Sequence, residues 1–235
     1  MNNITTKKQL FFDFGRDYDA DLDNFFFSHK NNIIKNELIE SITSKNKKDI
    51  FITGLEGSGK TFLLNSLLNH QENLNKLNIY IDLSELDGTK NYFADLNKFN
   101  YICLDNVEKA NSELQLQIFN LINECKNSST NLLFSSSLNP SKLNFFPDLI
   151  SRFKEMDYFY INEIEDNEVI DCINFISNKL DLNFSKEIID FISKRTRRDF
   201  SSLKTTLQDL EKFLYSEKKE PTKNSVSSFF KDYKN

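Results

Sequence analysis

The chain has 235 residues, of which 39% are hydrophobic, so it is long and apolar enough to bury a substantial core. Its formal net charge of −5 provides no general positive field for nucleic acid, and we therefore expect DNA contacts to be only indirect or weak. The three cysteines and two histidines show no metal-binding or disulfide spacing, and no secretion signal or apolar run of about 18 residues is seen, so we expect a cytoplasmic protein that contacts no membrane.

The N-terminal segment combines a polar start with an aromatic cluster. Residues 1–22 are predicted to form a flexible tail, which carries QLFFDFG at 9–15. Aromatic residues this close to a chain end either fold back on their own domain or bind a partner. The acidic stretch RDYDADLDNFFFS at 16–28 is interpreted as a solvated loop.

Between residues 23 and 162, short apolar segments alternate with helical patterns. This alternation predicts an α/β core in which five parallel strands form one sheet that helices cover on both faces. The predicted strands are 49–54, 77–84, 101–106, 131–137 and 157–162, and the predicted helices are 31–44, 61–70, 89–97, 112–126 and 147–153.

From residue 163 the pattern is helical throughout. Helices are predicted at about 165–180, 185–195, 198–215 and 222–233. The expected organisation is therefore a tail over 1–22, an α/β nucleotide-binding core over 23–162 and a small all-helical lid over 163–235.

The segment GLEGSGKT at 54–61 lies between the first predicted strand and the next predicted helix. It matches the P-loop pattern G-x-x-x-x-G-K-[ST], whose backbone N–H groups surround a phosphate at a helix N-terminus. Lys60 is expected to neutralise the β- and γ-phosphates, and the Thr61 hydroxyl to ligate Mg²⁺. The sequence therefore predicts binding of ADP or ATP with Mg²⁺. The binding residues predicted in and after this motif are Gly54, Gly57, Ser58, Gly59, Lys60, Thr61 and Phe62.

A second acidic element completes such a site. The predicted strand YICLDN contains Asp105 near its end, and Asp105 is expected to hold Mg²⁺ through water beside Thr61. The next residue is Asn106, and an amide cannot act as a general base. Glu108 is the nearest carboxylate that could substitute. We therefore expect tight nucleotide binding with weak or no intrinsic hydrolysis.

Arginine is rare in this chain, with five residues among the 30 lysines and arginines. Where lysine is the usual base, arginine is favoured for its planar, bidentate guanidinium. Arg152 lies in the short predicted helix before the last strand, and Arg195, Arg197 and Arg198 cluster in the lid. A surface salt bridge for Arg152 and a solvated helix end for the cluster are the alternatives.

Taken together, these motifs resemble an AAA+ ATPase of the DnaA branch. A single module of this type with a short glutamine-containing tail resembles the Hda-like family of DnaA inactivators, and we expect no further DNA-binding domain after the lid. The segments that carry the resemblance are DNFFFS (23–28), ITGLEGSGKTFLLNSLLN (52–69), ICLDNVE (102–108), LNPSKL (138–143) and PDLISRF (147–153).

The resemblance implies an adaptor function. Such proteins bind ADP, attach to the DNA-loaded sliding clamp (the β subunit of DNA polymerase III) and trigger hydrolysis of the ATP held by DnaA, which negatively regulates replication initiation at the replisome. Self-association into a homo-oligomer is left open. The alternatives are a self-sufficient AAA+ ATPase such as a DnaC-type helicase loader, and a DnaA-like scaffold that brings another partner to the clamp.

The resemblance also implies roles for individual residues. Arg152 would be an arginine finger acting in trans, and Ser136 or Ser137 would be the sensor on the fourth strand. Ser201 stands where the family has a lid sensor arginine, so the alternatives are that Arg197 or Arg198 replaces it or that this contact is absent. The residues implied to enclose the adenine are Asn24 and Phe25, and those implied to bind the clamp are Gln9, Leu10, Phe12 and Phe14.

Overall fold

The computed structural model describes residues 17, 19–44, 46–73 and 75–232. Its centre is a five-stranded sheet in the order β2-β3-β4-β1-β5, in which every neighbouring pair is parallel. The predicted α/β fold with a five-stranded parallel sheet is therefore confirmed. The strands are β1 (Ile50–Gly54), β2 (Asn78–Asp82), β3 (Tyr101–Asp105), β4 (Asn131–Ser136) and β5 (Asp157–Ile161).

The helices cover both faces of this sheet and then continue as a helical C-terminal part. Parallel strands need crossover connections, and here α2, α3 and α4 provide three of them. The helices are α1 (Asn32–Thr43), α2 (Lys60–Asn69), α3 (Ser112–Cys125), α4 (Pro147–Lys154), α5 (Val169–Lys179), α6 (Lys186–Ser193), α7 (Phe200–Ser216) and α8 (Lys223–Asp232).

Two hydrophobic clusters divide the interior. One contains the inward residues of α3 and α4 and the sheet face beneath them, with Phe51, Phe134 and Phe153 in mutual ring contact. The other joins α1, α2 and the opposite sheet face to the buried residues of α5 to α8. Because the second cluster is continuous, the helical C-terminal part packs directly on the side of the sheet that α1 and α2 cover.

The predicted helix over 89–97 is wrong. Its region contains only a single helical turn, at Leu96–Lys98. The Asp87 carboxylate accepts hydrogen bonds from the Thr89 backbone N–H at 3.0 Å and from the Tyr92 hydroxyl at 2.6 Å, and this local turn competes with helix formation. Asp95 has φ 63°, which also breaks a helix.

The acidic stretch is not a solvated loop where the structure describes it. Ala20, Leu22 and Phe25 are buried, and Leu22–Asn24 forms a helical turn. The Asn69 side chain on α2 donates to the backbone carbonyls of Asp17 and Ala20, both at 2.9 Å. The apolar residues between the aspartates therefore anchor this segment to α2, while the carboxylates of Asp19, Asp21 and Asp23 remain at the surface.

No helix in the described part of the chain has the length and apolar character that a membrane span requires.

Candidate nucleotide site

The P-loop has the backbone that its glycines were expected to allow. β1 ends at Gly54 and α2 begins at Lys60. Gly57 and Gly59 have φ 79° and 92°, which L side chains rarely adopt. A Cβ at Gly59 would also lie 2.5 Å from the ring of Phe25. Glycine is therefore required at Gly59 for both conformation and space.

The loop leaves polar groups without protein partners. Within the described residues, the backbone N–H groups of Gly59, Lys60 and Thr61 donate to no acceptor. The buried Ser58 hydroxyl likewise has no hydrogen-bond partner there. Unpaired N–H groups at a helix N-terminus are the usual feature of a phosphate site, so this cradle fits a phosphate group.

Lys60 is held inside the loop. Its ammonium donates to the carbonyls of Gly54 at 2.8 Å and Leu55 at 2.9 Å. Burial lowers the pKa of Lys60, and the negative charges of Asp105 and Glu108 oppose that shift only in part. An incoming phosphate would therefore meet a cation that lacks a directly bonded carboxylate.

Asp105 is the most enclosed charge in the site. It is fully buried at the end of β3, and its carboxylate accepts from the Thr61 hydroxyl at 2.5 Å, the Tyr80 hydroxyl at 2.8 Å and the Ser135 hydroxyl. The Asn106 N–H donates to it as well, at 3.0 Å. The predicted pair of Thr61 and Asp105 is therefore in direct contact, which suits two oxygen ligands of one Mg²⁺.

Two of these partners were missed by sequence reasoning. Burial and the charge of Asp105 raise the pKa of Tyr80, which keeps that hydroxyl a donor. Ser135 follows Leu133 by two residues, and Leu133 pairs with Cys103 in the sheet. Because side chains alternate with a period of two, Ser135 points to the same face as Asp105. The alignment of β3 with β4 is the signal that identifies Ser135 as a neighbour of Asp105.

The predicted sensor serines, Ser136 and Ser137, are placed beside Glu108 rather than at Asp105. The Ser136 hydroxyl accepts from the Leu138 N–H at 3.0 Å. The Ser137 hydroxyl donates to Glu108 at 2.6 Å. Ser135, rather than either of these, contacts the metal-site carboxylate.

Asn106 and Glu108 occupy different environments beside Asp105. The Asn106 side chain donates to Asp82 at 2.8 Å, and its backbone is left-handed with φ 56°. In Glu108, burial favours the neutral acid, but hydrogen bonds from Ser137 and Ser136 outweigh it and lower the pKa. Its second oxygen, Oε2, is buried without a partner among the described residues. Glu108 is therefore a charged carboxylate close enough to Lys60 to influence its pKa, with one oxygen atom not engaged by protein donors among the described residues.

Phe25 and Asn24 were expected to enclose an adenine. The Phe25 ring is buried and lies 4.6 Å from the Phe200 ring and 6.1 Å from the Phe62 ring, so three chain segments meet over Gly59. The Asn24 side chain is exposed. Phe25 thus packs as a buried ring over Gly59, and neither Phe25 nor Asn24 lines the cleft at the P-loop.

The lid lies against the P-loop through α7. Its N-cap Asp199 accepts from the Ser202 N–H at 2.8 Å, and the Ser201 N–H donates to the Gly57 carbonyl at 3.1 Å. Together the loop and α7 border a cleft of about 360 Å³. Its lining includes Glu56, Lys60, Thr61, Asn106, Ser201, Lys204 and Gln208.

Arg152 lies at the other end of the sheet. It lines a depression together with Asp49 and Asp157, which precede β1 and begin β5. The guanidinium pairs with Glu155 at 3.2 Å and keeps 27% of its side chain exposed. The P-loop stands at the carboxyl ends of the strands, so Arg152 cannot reach the phosphate cradle of its own chain.

The lid arginines also stay out of the cleft. Arg197 pairs with Asp199 at 3.3 Å, and Arg198 pairs with Asp166. The Arg195 guanidinium lies 3.5 Å from the centroid of the Phe191 ring. The proposed clamp-binding residues Gln9, Leu10, Phe12 and Phe14 lie outside the described residues.

The site as a whole fits a nucleotide with Mg²⁺. Gly57 to Thr61 would hold phosphates, and Thr61 with Asp105 would hold the cation. Among the described residues no cluster of three or more His, Cys, Asp and Glu side chains is placed to bind a metal without such a ligand.

Comparisons with known proteins agree with this geometry. The chain is 31% identical over 204 residues to an uncharacterised protein of Haemophilus influenzae, covering 83% of this chain and 86% of the other. Domain III of the replication initiation protein DnaA from Thermotoga maritima superposes with a TM-score of 0.79 at 20% identity, covering 92% and 98% of the two chains.

Two further structures share the fold. AMPPCP-bound DnaA from Aquifex aeolicus gives a TM-score of 0.71 at 20% identity over 82% of this chain and 65% of that one. The Thermotoga maritima RuvB Holliday junction branch migration motor gives 0.68 at 15% identity over 90% and 71%. The fold is therefore that of the AAA+ domains of DnaA and RuvB. Residues 28–156, more than half of the chain, match the Sigma-54 interaction domain, and the protein accordingly belongs to that family.

Proposed function

We propose that this protein is an AAA+ adaptor that binds ADP or ATP with Mg²⁺ and, attached to the DNA-loaded sliding clamp, stimulates hydrolysis of the ATP bound to DnaA. It would thereby negatively regulate the initiation of DNA replication. The observation that carries the proposal is the position of Arg152, which is separated from the phosphate cradle of its own chain by the length of the sheet.

A guanidinium in that position can act only on a nucleotide held by another molecule. An arginine supplied in trans stabilises the charge that develops on the transferred phosphoryl group, and in GTPases this contributes about 10³ to 10⁵ in rate. Among the described residues Arg152 forms a salt bridge with Glu155 alone, and both side chains are partly exposed, so little free energy is needed to release the guanidinium. The structural likeness to DnaA supports a DnaA-type partner, because AAA+ modules of one shape can pack side by side.

The chain's own site supports binding more than turnover. Lys60, Thr61 and Asp105 would hold the phosphates and Mg²⁺, and bound Mg²⁺ would supply charge neutralisation at the phosphate oxygens. Asn106 offers no base, because its amide cannot accept a proton and its side chain donates to Asp82. The nucleotide would therefore serve mainly to hold the lid against the core.

One observation favours the alternative of a self-sufficient ATPase, such as a DnaC-type helicase loader. The Glu108 carboxylate is charged, half-buried and has one oxygen without a partner among the described residues. Such a group can orient a water molecule for attack. Measurable turnover that Glu108→Gln and Lys60→Ala both abolish would support this second function.

The test of the adaptor function measures hydrolysis of ATP preloaded on purified DnaA, with and without clamp loaded on DNA. Wild-type protein should accelerate hydrolysis only with the loaded clamp, and Arg152→Ala should remove the acceleration. Lys154→Ala is the matched control, because Lys154 is exposed on the same helix and should leave it intact. Full stimulation by Arg152→Ala would overturn the assignment of the arginine finger.

The clamp contact is tested in the same assay. A Gln9→Ala, Leu10→Ala double variant should no longer bind the clamp and should no longer stimulate DnaA when the clamp is present. It should still bind nucleotide. Clamp binding with no effect on DnaA-bound ATP would instead favour a scaffold that recruits another partner. Because the matching family is named for sigma-54, purified sigma-54 serves as an additional binding control.

A further inference from the structure

The lid reaches the P-loop without any of its arginines. Arg197 has 81% of its side chain exposed and Arg198 has 59%, and each pairs with an aspartate. Neither lines the cleft between α7 and the P-loop. Ser201, at the position where the family resemblance expects an arginine, lines the cleft but carries no charge.

A lysine one turn further along α7 does enter the cleft. Lys204 lines it together with Lys60 and Thr61. Its ammonium nitrogen lies 3.9 Å from the centroid of the Phe62 ring, and Phe62 directly follows Thr61 in α2. The side chain therefore extends from the lid to the helix whose N-terminus forms the phosphate cradle.

Lys204 belongs to a polar stripe on the lid helix. Ser201, Lys204, Thr205 and Gln208 are spaced as i, i+3, i+4 and i+7, which places them on one face of α7. All four line the cleft, whose volume of about 360 Å³ is in the range of small-ligand sites. The lid thus presents hydrogen-bonding groups and one cation to whatever occupies the P-loop.

The cation is held there with little compensation. Burial lowers the pKa of Lys204, and the charge of Asp17, which lines the same cleft, opposes this shift only in part. Among the described residues it forms no salt bridge, whereas Lys212 on the same helix pairs with Asp209 at 3.5 Å. A partly desolvated cation without a bonded anion gains most from a ligand that brings negative charge.

We propose that Lys204 is the lid residue that binds the phosphates of the nucleotide in this cleft, and that this contact fixes α7 against the P-loop. The inference deepens the proposed function and rests on its nucleotide-binding part. Lys204 is a binding residue in this account, and Lys60 remains the P-loop cation.

The experiment measures the affinities of the full chain for ADP and ATP with Mg²⁺ by isothermal titration calorimetry. Lys204→Gln should weaken binding about tenfold, the effect of losing one charge-assisted hydrogen bond. Lys204→Arg should restore most of the affinity because it keeps the charge. Lys212→Gln is the matched control on the exposed side of the same helix, and it should bind as wild type does.

The outcomes separate this inference from the function on which it rests. If wild type binds, Lys60→Ala does not and Lys204→Gln binds like wild type, the role of Lys204 is overturned while nucleotide binding stands. If wild type itself binds neither nucleotide, both fail. A folded Lys204→Gln protein, verified by its circular dichroism and unfolding midpoint, excludes misfolding as the cause of a loss.

Discussion

The charged side chains at the two ends of the central sheet differ in how far they are buried. At the carboxyl end, Asp105 is fully buried among hydroxyl donors and Lys60 is enclosed by loop carbonyls. At the amino end, Arg152 and Glu155 pair at the surface. Charges fixed by burial are arranged for a small ligand, whereas charges held loosely at the surface remain available to another protein.

The largest effect should come from the buried charge itself. Asp105→Ala leaves the hydroxyls of Tyr80, Ser135 and Thr61 without their acceptor, and we expect it to lower the free energy of unfolding by about 3 kcal/mol or more. Urea unfolding of nucleotide-free protein measures this. Asp157→Ala, which removes an exposed carboxylate at the opposite end, should change it by less than about 0.5 kcal/mol. Equal losses of unfolding free energy in Asp105→Ala and Asp157→Ala would contradict the difference proposed between the two ends of the sheet.

Nucleotide affinity should depend on the residues at the carboxyl end of the sheet and not on those at its amino end. Lys60→Ala removes the cation at the phosphate cradle and should weaken ADP binding at least about tenfold, since charge-assisted hydrogen bonds contribute about 1.5 to 3 kcal/mol. Arg152→Ala should leave the affinity unchanged. Titration with a fluorescent ADP analogue distinguishes the two. Loss of affinity in Arg152→Ala would show that the ends are coupled.

The amino end also contains a partly buried carboxylate, Asp49, whose effect on the pH dependence of stability can be tested. Burial raises its pKa, although the Leu132 N–H and Lys47 oppose the shift. Because the folded pKa is above the unfolded one, Asp49 contributes stability that is present below about pH 4 and lost as pH rises through the folded pKa.

Asp49→Asn cannot titrate, so its stability relative to wild type should increase with pH over that window. Chemical unfolding at intervals between about pH 3.5 and 7 measures the difference. Asp157 also faces Asp49, but it is present in both proteins. A difference that stays constant or falls with rising pH would rule out the buried carboxylate as its source.

The smallest effect is expected at the surface ion pair. Glu155→Gln breaks the salt bridge of Arg152, and because both side chains are partly exposed the free energy of unfolding should change by less than about 0.5 kcal/mol. Thermal unfolding is a sufficient readout. A loss comparable to that of Asp105→Ala would mean that the amino end also depends on fixed charge.

Much of this molecule could be predicted from sequence because its main signals are local. The P-loop pattern, the apolar strands and the aspartate at the end of β3 are each encoded in a few adjacent residues. The helix expected over 89–97 failed because the Asp87 side chain forms a turn there, which a helical pattern does not reveal.

What was missed depends on contacts between distant segments. Ser135 reaches Asp105 only through the register of two strands, and Lys204 reaches the cleft only because α7 packs on Phe62. Arg197 or Arg198 was one alternative for the lid sensor, and the structure pairs each of them with an aspartate at the surface. Side-chain direction at a packed interface is not contained in spacing along one helix.

The aromatic contact over Gly59 has a consequence for how this chain can be divided. Phe25, Phe62 and Phe200 come from an N-terminal turn, the P-loop helix and the lid, so their meeting requires most of the chain to be in place. Such long sequence separations favour late consolidation during folding. Cutting between β5 and α5 would leave two fragments with exposed aromatic surfaces, and we expect them to aggregate rather than fold independently. Unfolding of the intact chain should accordingly be one cooperative transition.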